Sequence, residues 1–183
     1  MDFAAHRFAE QGFHPTSVAE IVSGLGVGKG VFYWYFDSKE QLLLEILKEA
    51  QTSLRRAQQA AIGDEPDPIV RIELGIRASM HWLDEHRHLS TLTQFAATDE
   101  TFAPSLRRGG KVHVADVVRH ISDAIEQHRI PDADPEVLAH CILGVTDNLA
   151  RVLLFGRRVA PDAVADEAIG FCLTGLCGVA TPV

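Results

Sequence analysis

Basic side chains are scarce in this chain, with 17 Lys and Arg against 25 Asp and Glu in 183 residues, a formal charge of −8. Coating nucleic acid without regard to sequence needs a local excess of positive charge, so that role is excluded, while one small reading head is not. Cysteine is sparse too. Cys141, Cys172 and Cys177 form no C-x-x-C pair and have no matching histidine set, which fits buried thiols in a reducing compartment. The longest uncharged apolar run, residues 168–180, is too short to span a bilayer, and no basic segment followed by an apolar core opens the chain. The expected address is cytoplasmic. There is no internal repeat and no low-complexity tract.

Alternating apolar and polar runs bounded by turns are also rare, whereas apolar residues recur at helical spacing almost throughout. The expected fold is therefore all-α, with about nine helices: an N-terminal three-helix head and a C-terminal helical core. Residues 1–48 are read as the head with the start of a connecting helix, and residues 49–183 as the core.

The first helix runs from Asp2 to Gln11 and is closed by Gly12. A second covers Ser17 to Leu25, where Ser17 and Glu20 have capping-box spacing, and a third covers Gly28 to Tyr35. A fourth starts at Ser38, with Gln41 in the same relation, and runs towards Ala61. Breakers from Gly63 to Pro68 precede a fifth helix from Ile69 to Arg87. Helical stretches follow at Leu89 to Ala97 and along Val114, Val117, Val118, Ile121 and Ile125. Arg107 to Gly110 obscures where the latter begins. A closing pair, Glu136 to Phe155 and Asp162 to Val179, turns at Gly156 to Pro161.

The last helix is uncharged from Ala168 to Ala180, so it must be covered nearly all round. A two-fold seam explains this economically, and its expected members are Val145, Leu149, Val152, Ala168, Phe171, Cys172, Gly175 and Leu176.

Two short helices joined through Gly26 have the helix-turn-helix arrangement, in which the second is presented to the major groove. Ile21, Val22, Leu25, Val27 and Phe32 are read as the small core between them. The helix from Lys29 to Phe36 carries more aromatics than so small a head can bury. Tyr33 and Tyr35 offer hydroxyls to phosphate, Trp34 can pack on sugar, and Lys39 stands at a helix start suited to phosphate. Lys29, the only charge on the second helix, can reach guanine O6 and N7 or a phosphate.

The run from Thr16 to Leu42, TSVAEIVSGLGVGKGVFYWYFDSKEQL, resembles the DNA-binding signature of TetR-type (TetR/AcrR) transcriptional regulators, and residues 4–13, AAHRFAEQGF, fit their first helix. The resemblance implies a bacterial repressor, with residues 1–48 as the DNA-binding domain and residues 49–183 as the ligand-binding and dimerisation domain, whose homodimer binds a palindromic double-stranded operator and is released by a small, largely apolar effector. By motif position, it places base contacts at Lys29 and Gly30, with Ala19 from the bracing helix. Phosphate contacts fall to Ser17, Tyr33, Trp34, Tyr35 and Lys39.

Three departures bear on that carry-over. Gly28 stands where the family has a capping Ser, Val31 replaces a common Thr, and the motif opens inside the first helix without the family's basic arm. Residues 1–48 hold four basic and six acidic side chains, a net charge of −2. Either a longer natural start supplies the arm, or binding rests on few charges and is weak. A helical homodimeric interaction or small-molecule-binding module with lost or weak DNA binding is the alternative.

An effector needs an apolar cavity with a few polar groups, and the candidates are Trp82, His86, Phe95, Phe102, Val117, His120 and residues of the Glu136 to Phe155 helix. His113, Asp116 and His120 share one helical stripe. An Asp116–His120 pair at a solvated edge explains that stripe without a metal, and Asp147 and Arg151 have salt-bridge spacing. No nucleophile with its base, carboxylate pair or metal box stands out. Neither an enzyme nor a cofactor nor a metal is expected.

Overall fold

Breakers cut an otherwise helix-prone chain into nine α-helices among the described residues, 1–177 of a computed structural model, and no strand forms among them. They are α1 (Asp2–Gln11), α2 (Val18–Gly24), α3 (Lys29–Tyr35), α4 (Lys39–Ile62), α5 (Pro68–Glu85), α6 (Arg87–Thr98), α7 (Ala103–Glu126), α8 (Pro135–Leu149) and α9 (Pro161–Cys177). A π-helical stretch, Ala150–Gly156, continues α8. Residues 178–180, the end of the uncharged run, lie outside the described residues.

The helix starts show why the chain breaks where it does. Ser17 and Glu20 form the expected capping box: the Glu20 amide donates to Ser17 Oγ at 3.2 Å and the Ser17 amide to Glu20 Oε2 at 2.7 Å. At α4 the Gln41 amide donates to Ser38 Oγ, but the Gln41 side chain accepts from Asp37 rather than from Ser38. Asp134 caps α8 ahead of Pro135 in its first turn. Gly26 adopts a φ of 67°, the left-handed conformation the turn between α2 and α3 requires. One expectation needs correcting: α7 begins at Ala103 and runs unbroken through Gly109 and Gly110.

The chain divides into two compact units. The first comprises residues 1–53 and 86–109, and the second residues 54–85 and 110–183, so two of the three boundaries fall inside helices, α4 and α7, and the third falls between α5 and α6. The first unit thus takes α6 along with the head, a wider division than the head ending at residue 48. Its core joins Phe8, Phe13, Ile21, Phe32, Leu43 and Ile46 to Leu92, Ala96 and Phe102. Phe13 meets Phe102 edge-on at 5.1 Å between centroids and Phe95 at 5.8 Å. A three-helix head alone has too little apolar surface to bury, and these residues of α6 and of the turn before α7 complete it.

The second unit packs α5, α8 and α9 around Ile72, Ile76, Met80, Ile121, Ile142, Leu154, Val164 and Ala168. Residues 135–156 are long and apolar enough by composition to cross a membrane, with a mean hydropathy of 1.5. Ala139, Ile142, Thr146, Ala150 and Leu154 of that stretch are buried in the second unit.

Candidate nucleic-acid interface and ligand cavity

Helix α3 separates its residues by face. Phe32 turns inward at 6% exposure, while Lys29, Gly30, Tyr33, Tyr35 and Trp34, the last at 83%, face solvent. An isolated helix of seven residues is unstable in water, so its orientation rests on Phe32 packing into the first unit and on the Gly26 turn. Gly28 caps α3 without a side-chain bond, leaving its leading amides open to an anion. Ala19 is exposed on α2. Leu25 and Val27, expected in the core, are instead 51% and 40% exposed, because the turn carries them past the end of α2 onto the surface beside α3.

Ser17 and Lys39 already have work to do. Ser17 Oγ is the acceptor of the capping box, and the same bonds hold the Glu20 carboxyl below its ordinary pKa. The Lys39 ammonium donates to the carbonyls of Phe13 at 2.8 Å, His14 at 3.1 Å and Thr16 at 2.9 Å, and lies 4.4 Å from the Phe13 ring centroid. All three of its protons are thereby used. The structure revises the expectation of a free phosphate contact: Lys39 ties the loop after α1 to the start of α4.

The second unit contains a cavity of about 90 Å³. Leu54, Ile62, Ile72, Ile76, Leu83, Val117 and Ile142 give it apolar walls, and Arg71, His113, His120, Thr146 and Asp147 are among its polar ones. Arg55 of α4 forms a two-bond pair with Asp116 of α7, which also meets Arg119 at 3.3 Å, and these cations hold the Asp116 carboxyl below its usual range. Asp116 therefore pairs with arginines rather than with His120. Gln58 donates to Ser79 Oγ at 2.8 Å. Burial lowers the pKa of His113 and His120 and raises that of Asp147. Arg151 bonds to Asn148 at 2.6 Å rather than to Asp147.

Of the six residues proposed to line an effector site, Val117 and His120 do border this cavity. Phe95 and Phe102 belong to the aromatic core of the first unit, and His86 stands at the start of α6 in that same unit. Trp82 is buried in α5 and is not on the cavity wall. Sequence reasoning missed Arg71 as a wall residue, because α5 also carries Glu73, Arg77, Asp84 and Glu85 and no local signal sets Arg71 apart from them. Asp147 lies on the helix expected to contribute to the lining.

Residues assigned to a two-fold seam also divide. Ala168, Cys172 and Leu176 are buried in the core of the second unit and so cannot meet a partner, because α9 turns this stripe toward α5 and α8. Phe171 and Gly175 face outward, Phe171 at 68% exposure. Val145, Leu149 and Phe171 line one shallow surface depression formed by α8, the π-helical stretch and α9. Val152 is partly exposed.

In the first unit Asp2, His6 and His88 bring three potential metal-ligand atoms within 4.8 Å of one another, and the two imidazoles stack at 3.8 Å between centroids. Burial and the neighbouring His6 lower the pKa of His88.

Residues 1–46 match the family model described as bacterial regulatory proteins, tetR family. The chain is 24% identical over 182 residues to the HTH-type transcriptional regulator YdgC of Bacillus subtilis, covering 94% of this chain and 88% of that protein. Over 86 residues it is 29% identical to the HTH-type transcriptional repressor KstR2 of Mycobacterium tuberculosis, 47% of this chain and 43% of that repressor. In fold it is similar to the transcriptional regulator FadR of Bacillus subtilis in complex with stearoyl-CoA, with a TM-score of 0.84 at 19% identity over 95% of this chain and 96% of that one.

Proposed function

This chain is a TetR-type transcriptional regulator, and we propose that it acts as a homodimeric repressor that leaves a palindromic operator when a small effector enters the cavity of the second unit. The observation that carries the DNA-reading half is the division of α3, with Phe32 inward and Lys29, Tyr33, Trp34 and Tyr35 outward. Aromatic side chains that contribute nothing to the core are costly to keep in water, and a sugar-phosphate surface is their natural cover. The name of KstR2 supports the repressor reading, and the FadR complex with stearoyl-CoA supports a small-molecule effector. Such a regulator works in the cytoplasm.

Titrating labelled DNA from around its own gene at two salt concentrations tests the reading. Saturable binding that weakens with salt is expected; its absence overturns the assignment. Lys29→Ala should narrow the difference between operator and unrelated DNA, as loss of a base contact does. Trp34→Ala should leave thermal stability almost unchanged, because the side chain is 83% exposed, yet lower affinity for every sequence.

The partner copy is assigned to the outward face of α8 and α9 around Val145, Leu149 and Phe171. Phe171→Asp should leave the helical content intact and weaken dimerisation tenfold or more, read by sedimentation at micromolar concentrations. A dimer of undiminished strength would move the seam elsewhere.

A further inference from the structure

Two buried nitrogens belonging to side chains that line the cavity have no hydrogen-bond partner. One is Arg71 Nε on α5; the other is His120 Nδ1 on α7. A terminal nitrogen of Arg71 is held by Asp123 at 2.8 Å, which orients the guanidinium and leaves its Nε–H unused. Three other polar groups of the wall are satisfied internally: Asp116 by Arg55, Ser79 by Gln58, and the Thr146 hydroxyl by the Ile142 carbonyl. A buried donor left without an acceptor is costly, and native proteins keep few of them.

What would satisfy this pair is restricted by chemistry. Arg71 Nε only donates, so an ammonium or any other pure donor is excluded. His120 Nδ1 can donate to the same acceptor in one tautomer or when protonated. An acceptor carrying negative charge is favoured over a neutral carbonyl, because hydrogen bonds between an ionised donor and an ionised acceptor are the stronger ones.

Size narrows the class further. The cavity, at about 90 Å³, is smaller than the ~150 Å³ apolar cavity that admits benzene, so it takes roughly four carbon atoms before a ligand must extend outward. Ile72, Ile76, Val117 and Ile142 supply the walls for such a body.

Building on the reading of this cavity as the effector site, we propose that it recognises a short-chain carboxylic acid, with the carboxylate between Arg71 and His120 and the alkyl body against the isoleucine wall. Asp147 also borders the cavity, and burial raises its pKa toward the neutral form, which a neighbouring anion favours further.

Binding is then coupled to protonation. The imidazole of His120 has a lowered pKa, first from burial and then from Arg71 on α5 and Arg119 on its own helix, with Asp123 and Asp116 partly offsetting them. On the other walls, α4 contributes Arg55, paired with Asp116, and α8 contributes Asp147. A bound carboxylate raises the His120 pKa, so binding takes up protons and tightens as pH falls from 8 towards the ordinary histidine range.

Calorimetric titration of the full chain with butanoate, butanamide and butylammonium, followed by operator release with the same three, tests this. Butanoate should bind at least tenfold more tightly than the other two, more strongly at pH 6.5 than at pH 8. His120→Phe, which leaves the Arg71–Asp123 pair in place, should reduce its affinity tenfold or more and abolish the pH dependence. Arg71→Gln should have a similar effect on affinity, with circular dichroism checking the fold. Stronger binding of butylammonium or butanamide, no binding of any of the three, or unchanged butanoate binding by His120→Phe overturns the assignment of a carboxylate. If butanoate binds as described but does not release the operator, the ligand chemistry stands and the effector role of the cavity falls.

Discussion

Phe32→Ala is expected to abolish operator binding while leaving the second unit folded. Phe32 is the inward anchor of α3, 6% exposed and packed with Phe8, Ile21, Leu43 and Ile46. Its ring lies 5.2 Å from that of Tyr33 and 5.7 Å from that of Phe36, so it also fixes the aromatics that flank it. Truncating a buried phenylalanine to alanine costs about 3–5 kcal/mol, through lost transfer energy and the cavity left behind. Whole domains are stable by only about 5–15 kcal/mol, so the loss is a large fraction of what holds α3 in place. The two tryptophans make the outcome separable, since Trp34 reports on the first unit and Trp82, buried in α5, on the second. In a Trp34→Phe background, Trp82 emission should keep its native position in Phe32→Ala while the DNA titration goes flat. Retained operator affinity would mean that α3 is not held by this ring, and the interface would have to be redrawn.

How much of this was legible in the sequence depended on the distance between interacting groups. The Ser17–Glu20 box spans three residues, and Gly26 needs only its own backbone to be read, so both were foreseeable. The outward aromatics of α3 followed from counting rings against available core. The contributions of Phe95 and Phe102 to the first unit were not foreseeable, because apolar helical residues carry no label for the core they join. The same limit applies to α9. An all-apolar helix says that it is covered, but not which of Ala168, Phe171 and Cys172 meets its own core. The cavity pair of Arg55 and Asp116 joins residues 61 positions apart on different helices, beyond the reach of any local pattern.

Lys39 shows the same limit and carries the second large effect. Its partners are the carbonyls of residues 13, 14 and 16, acceptors that any amino acid would provide, so no residue type announces the contact. Lys39→Met keeps most of the aliphatic stem and removes the ammonium, leaving the three carbonyls without their shared donor. Hydrogen bonds from a charged group and the cost of an unmet acceptor are each about 1–3 kcal/mol, so a loss of about 2–4 kcal/mol from the first unit is expected. The adjacent Phe13 ring loses its cation contact as well. Operator affinity should fall through the smaller folded fraction, equally for all sequences, and recover when temperature is lowered toward the midpoint of greatest stability. The salt dependence discriminates between roles. A structural clamp leaves the slope of affinity against salt unchanged, whereas a lysine neutralising one phosphate reduces it by about 0.9. A reduced slope with an unchanged unfolding midpoint would return Lys39 to the DNA interface and show that its contacts with the three carbonyls give way when the operator binds.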